Sequence, residues 1–133
     1  MGTLAATADD QVTAVDIHIV IVPAGPAQVP TPLPHSFSGK LAGGLASSVK
    51  IGGKAAAVVG STADNSPAHQ PTPPGTTFQN PPSNKATIKM GSASVKIEGK
   101  AAARKGDIAE SCNDPSDLPI ATVVGSGPVN IGG

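Results

Sequence analysis

The sequence predicts an all-β domain. β-Branched residues come in short alternating runs, and no stretch shows the 3.6-residue apolar spacing of an amphipathic helix. One strand-turn-strand segment also occurs twice in register. Frequent Gly and Pro, 16 and 14 of 133 residues, punctuate these runs as turns do.

Residues 1–13 are small and polar and read as a loose, flexible lead-in to a single domain over 14–133. Asp16-Ile17-His18-Ile19-Val20-Ile21-Val22 is then a β-branched strand, expected to end at Pro23. Alternation puts Val15, Ile17, Ile19 and Ile21 on one face, with Asp16, His18, Val20 and Val22 on the other. Pro23 to Pro34 is proline-rich, and Thr31-Pro32-Leu33-Pro34-His35 is expected to run as extended polyproline II. A second such segment runs from Pro67 to Pro82.

Ser48-Val49-Lys50-Ile51-Gly52-Gly53-Lys54-Ala55-Ala56-Ala57 matches Ser94-Val95-Lys96-Ile97-Glu98-Gly99-Lys100-Ala101-Ala102-Ala103 without a gap. Each copy reads as a hairpin, because Gly at the second turn position tolerates the positive φ that two-residue hairpins need. A truncated third copy closes the chain at Val129-Asn130-Ile131-Gly132-Gly133, and Ala121-Thr122-Val123 echoes Ala86-Thr87-Ile88. Three related strands in one chain describe a pseudo-threefold object, for which a true trimer is the economical partner; duplicated hairpins with no symmetric partner are the alternative.

The core inventory is thin. There is no Trp or Tyr and only two Phe, Phe37 and Phe78, so few large side chains offset the entropy of ordering the chain. A staple is expected, and with Cys112 the sole cysteine it has to be a metal and not an intrachain disulfide. His18, His35 and His69 are the only histidines, and with Cys112 they make the donor set of a closed tetrahedral zinc site. Their separations carry no zinc-finger signature, so each must come from a different element. Taken singly, His18 reads equally as a hydrogen-bonded strand residue, His35 and His69 as loop residues, and Cys112 as a small buried hydrophobe.

Nine basic and nine acidic residues balance, scattered singly, so neither nucleic acid nor an anionic membrane is an expected partner. No basic, apolar leader opens the chain, which points to synthesis in the cytoplasm and export by a non-Sec route. No His-Glu-x-x-His or phosphate loop occurs, and the only Glu residues are Glu98 and Glu110, so no enzyme is expected.

Val95-Lys96-Ile97-Glu98-Gly99-Lys100-Ala101-Ala102-Ala103-Arg104-Lys105-Gly106-Asp107 and its first copy resemble the signature of PAAR-repeat proteins. That family is named for Pro-Ala-Ala-Arg; here the motif reads Ala101-Ala102-Ala103-Arg104 and Ala55-Ala56-Ala57-Val58, without the Pro in either copy or the Arg in the first. Pro30-Thr31-Pro32-Leu33-Pro34-His35 and Cys112-Asn113-Asp114-Pro115 look like variants from phage-tail-like and extracellular contractile injection systems. The resemblance implies a short β cone with a pseudo-threefold base and a metal-bound apex. It also implies a monomer seated on a trimeric β-helical spike protein, as in type VI secretion, touching a target membrane only in passing. It implies His18, His35, His69 and Cys112 as metal ligands, with zinc favoured over iron. An effector adaptor and a free-standing zinc-binding protein are the competing readings.

Overall fold

A computed structural model describes residues 2–132, and every element among them is a strand. The β-branched run forms β2 (Gln11–Ala24), which pairs antiparallel with β3 (Ala27–Gly43) over its whole length. A two-residue turn at Gly25-Pro26 joins them, and Gly25 takes the positive φ (+60°) such a turn requires.

Two expectations change here. Pro23 does not end the first strand, and the proline-rich segment is β3, not polyproline II. The register explains how a strand holds so many prolines. Pro30, Pro32 and Pro34 lie opposite Ile21, Ile19 and Ile17. Those isoleucines turn their polar backbone away from β3: Ile17 and Ile19 N–H donate to Asn113 Oδ1 and Asp114 Oδ2, and the Ile19 and Ile21 carbonyls accept from Gln79 and Thr76 N–H. The prolines therefore occupy the non-bonded positions of the ladder, where no N–H is missed.

β4 (Ala46–Ile51) and β5 (Lys54–Ala56) follow, then β6 (Thr62–Asn65), β7 (Thr77–Phe78), β8 (Lys85–Ile88), β9 (Lys96–Ile97), β10 (Lys100–Ala101), β11 (Ile108–Ser111), β12 (Leu118–Val124) and β13 (Asn130–Ile131). β2, β3, β6, β8, β11 and β12 pair in that order, and β12 pairs back onto β2, so the sheet closes on itself. Closure removes the edges that an open sheet of this size would expose. β7 adds only to the far part of β2.

The repeats form hairpins as expected. Gly52-Gly53 turns at φ +61° and +85°, and Glu98-Gly99 at +52° and +79°. The third hairpin is made from both ends of the chain: β13 pairs with β1 (Thr3–Leu4), as Thr3↔Ile131 and Leu4↔Asn130. Met1 and Gly133 lie outside the described residues. The expected loose lead-in over 1–13 is, from Gly2 onward, part of the folded domain. Ala5 and Ala6 are buried, and Thr3 to Asp10 is the second half of the third repeat.

Backbone hydrogen bonds make the equivalence explicit. Ala6 N–H donates to Ala103 O, Ala103 N–H to Ala57 O and Ala57 N–H to Ala6 O, all at 3.0 Å, a closed ring of three. One residue later Thr7, Val58 and Arg104 N–H donate to Asp10 Oδ2, Ser61 Oγ and Asp107 Oδ2. Positive φ recurs at the matching positions Asp9, Gly60 and Gly106. Only side chains as small as alanine let three backbones converge this closely, which explains the repeated Ala runs. The three ring alanines belong to an apolar cluster with Phe37, Leu41, Ile88 and Cys112, and the alanines just before them, Ala5, Ala56 and Ala102, to a second with Ile51, Ile97 and Ile131 among the hairpins.

Candidate metal centre

The face of β2 that carries Asp16, His18 and Val20 is the buried one. Asp16 and His18 point inward and are buried (0% and 1% exposed), while the apolar face carries Val15 and Ile17 outward at 58% and 37%. His35 lies directly across the hairpin from Asp16. His69 comes from the segment after β6, and Cys112 follows β11 directly. The three imidazoles stand together, with ring centroids 5.1 Å apart for His18–His69 and 5.5 Å for the other two pairs. Phe78 packs 5.3–5.8 Å from His35 and His18.

Ligand atoms of Asp16, His18, His69 and Cys112 all lie within 4.8 Å of one another. Three of the four donors expected from sequence, His18, His69 and Cys112, fall in this group; its fourth member is Asp16 and not His35, whose ring lies 5.5 Å from those of His18 and His69. Asp16 was not foreseen as a donor. Its one signal was the shared strand face with His18, which an acid flanked by isoleucines obscures.

His18 has free ring nitrogens, whereas His35, His69 and Cys112 each give up a hydrogen bond on ligating a cation. His18 is decisive: both ring nitrogens are buried and lack a hydrogen-bond partner, and the 3.5 Å approach of Nδ1 to Asp114 Oδ2 does not satisfy it. Native interiors rarely leave such atoms unpaired. His35 Nδ1 donates to Leu33 O at 2.9 Å, which leaves the Nε2 lone pair to accept from Thr72 N–H at 3.2 Å. An Nδ1–H held by a carbonyl is how proteins orient a ligating imidazole.

His69 is more constrained. Ser38 N–H donates to Asn65 Oδ1, fixing the amide, so Asn65 Nδ2 faces His69 Nδ1 at 3.2 Å and His69 Nε2–H donates to Asp16 Oδ2 at 2.9 Å. Ligation through Nε2 moves that proton to Nδ1 and requires the Asn65 amide to turn over. Cys112 Sγ donates to Asp16 Oδ2 at 3.4 Å.

Burial, the largest effect, lowers the pKa of His18 and His35 and keeps both imidazoles neutral, as ligands must be. Burial and the Asp16 carboxylate push the Cys112 thiol up to about 11. A dication reverses this last effect by stabilising the thiolate. A divalent ion, the Cys112 thiolate and the Asp16 carboxylate sum to zero charge, the condition for burying all three. A cleft lined by His35, Ser38, Asn65, His69 and Thr72 opens on the His35–His69 side.

A family model described as the PAAR motif matches residues 31–110, more than half of the chain, spanning both internal repeats, His35 and His69. No curated protein matches the chain.

Proposed function

The chain belongs to the PAAR-motif family, spike-tip-associated proteins of contractile injection systems, and on that footing we propose that it caps the blunt end of a trimeric β-helical spike and stiffens its point for penetration of a target envelope. The closed ring of Ala6, Ala57 and Ala103 carries this reading. A pseudo-threefold end of one chain offers each subunit of a true trimer an equivalent surface, so one copy satisfies three.

The hairpins supply the docking chemistry. Ile51, Ile97 and Ile131 gather at their centre, and exposed Lys50, Lys54, Lys96 and Lys100 surround two of the three repeats. The third repeat has Asn130 and Thr3 in their place. The receiving trimer is expected to present carboxylates around a small apolar centre.

The metal is proposed to be one structural zinc held by His18, His35, His69 and Cys112, with Asp16 as the buried balancing anion. When bound, it ties β2, β3 and the segments after β6 and β11 at one point, adding folding free energy that the aromatic-poor core does not supply. The role is mechanical and not catalytic. The protein is made in the cytoplasm and carried at the particle tip. Co-purification with a trimeric spike protein, together with one zinc per chain, is the expected result. A chain that purifies without metal and melts identically with and without chelator sinks the metal assignment.

A further inference from the structure

The metal cluster is not the end of the molecule. The β2–β3 hairpin continues past His18 and His35 to Gly25-Pro26, about 20 Å farther at roughly 3.3 Å per residue, and residues 23–30 are all exposed. We infer that this projecting hairpin is a lipid-contacting element that enters the hydrocarbon of one bilayer leaflet. The inference deepens the piercing part of the proposed function and rests on it only for the direction of travel; spike docking is not needed.

Charge is the first observation. From Ile17 to Gly39 there is no Asp, Glu, Lys or Arg, and none again from Asn65 to Asn84, the segment packed beside the hairpin. Lys50, Lys54, Lys96 and Lys100 lie on the repeat hairpins, while the Asp114 carboxylate sits at the base of the projection, accepting from Ile19 N–H. Exposed strands in water are usually protected with lysine; this one has Val29 at 43% exposure, with Ala24, Ala27, Pro23, Pro26 and Pro30 around it.

Backbone donors are the second observation. Hydrocarbon penalises every unpaired N–H and C=O, which is why open strand edges are excluded from it; prolines on an outward edge remove the donor half of that cost and leave the carbonyls. On this hairpin the outward positions are Pro30, Pro32 and Pro34 on β3 and Pro23 on β2, and proline has no N–H. The outward groups of β2 nearer the cluster are taken by Asn113, Asp114, Gln79 and Thr76. Between Val22 and Leu33, Gln28 on the strand and Gly25 in the turn keep N–H groups that the ladder does not use. A projection of about 20 Å is shorter than the roughly 30 Å bilayer core, so it reaches into one leaflet and does not span.

The chain has no Trp, so a single introduced one reports its own surroundings. Ala27→Trp at the tip and Ser47→Trp at the lysine-bearing end are titrated as full-length, zinc-loaded protein with phosphatidylcholine vesicles, some with brominated acyl chains. The tip reporter is expected to shift to the blue and be quenched by bromine, the Ser47→Trp reporter to do neither. Adding Val29→Lys to Ala27→Trp is expected to weaken partitioning about a hundredfold, the penalty of a lysine in hydrocarbon. Gln28→Trp gives a second tip reporter should Ala27→Trp fold poorly. Tip reporters that ignore lipid overturn the inference and mark the hairpin as a protein-facing surface. Equal shifts at both ends, or no effect of the added lysine, overturn it as well. Loss of spike association leaves these readouts unmoved, so the two readings fail separately.

Discussion

Replacing His18 with leucine has opposite signs with and without a metal, which makes the sign of the stability change the measurement. Leucine fills similar space in a site that is 1% exposed, so cavity effects are small. Without a metal, the change removes two buried nitrogens that have no hydrogen-bond partner. Each such atom costs about 1–3 kcal/mol, so the variant should equal or exceed the parent in stability. With a metal, the change deletes a ligand from a site whose binding contributes on the order of 10 kcal/mol. Even partial retention of the ion by the remaining donors leaves a loss of about 3 kcal/mol or more. At roughly 3–5 °C per kcal/mol for a chain of this size, the midpoint falls by at least about 10 °C. Thermal and urea unfolding of both proteins, in zinc-containing buffer and after chelation, give the four values required. His18→Leu should melt well below the parent in zinc and at or above it after chelation. A variant as stable as the parent in zinc would falsify ligation by His18.

Other outcomes follow from the same geometry. Burial lowers the pKa of His18 and His35, so between the lowered value and about 6.5 the folded state binds fewer protons than the unfolded chain. Stability should therefore be complete above about pH 6.5 and decline as pH falls below it, and flat denaturation midpoints from pH 7.5 to 5 would remove this account of the two imidazoles. Gly60 has φ +99° with nothing within 4 Å of an added Cβ, so Gly60→Ala should cost about 1–2 kcal/mol through the backbone alone. Asp9→Gly, at the matching position with φ +70°, should stay within about 0.5 kcal/mol of the parent, since glycine's looser unfolded chain offsets the relief. Equilibrium unfolding separates these two. Lys50→Glu with Lys96→Glu should slow association with the trimeric spike about tenfold or more at low salt and leave thermal stability unchanged. Salt-independent association rates for the parent would argue against an acidic receiving rim.

The parts of this architecture that were legible in sequence are those with a local signal. β-Branched alternation marked β2, and Gly-Gly and Glu-Gly marked two hairpins. A small inventory of His and Cys singled out His18, His69 and Cys112, three of the four residues of the buried group. The missed parts depend on what surrounds a residue. Thr3 to Asp10 has neither β-branched alternation nor a turn glycine, since Asp9 stands where the other copies have Gly60 and Gly106. Its kinship to them lies in backbone bonds among alanines and in the side-chain acceptors Asp10, Ser61 and Asp107. Prolines in β3 argued against a strand until the register showed them all on its outward edge. Alternation put Asp16 on one face with His18 and Val20 without saying which face is inward, and the closed sheet buries that face, the acid included.

The central claim is that one pseudo-threefold chain closes one threefold spike. Native mass spectrometry of the co-expressed complex, sprayed from low-salt buffer with zinc present, tests it most directly. The account predicts one copy of this chain, carrying one zinc, for every three spike subunits. Three copies per trimer, or a spike trimer that never retains the chain, would contradict it.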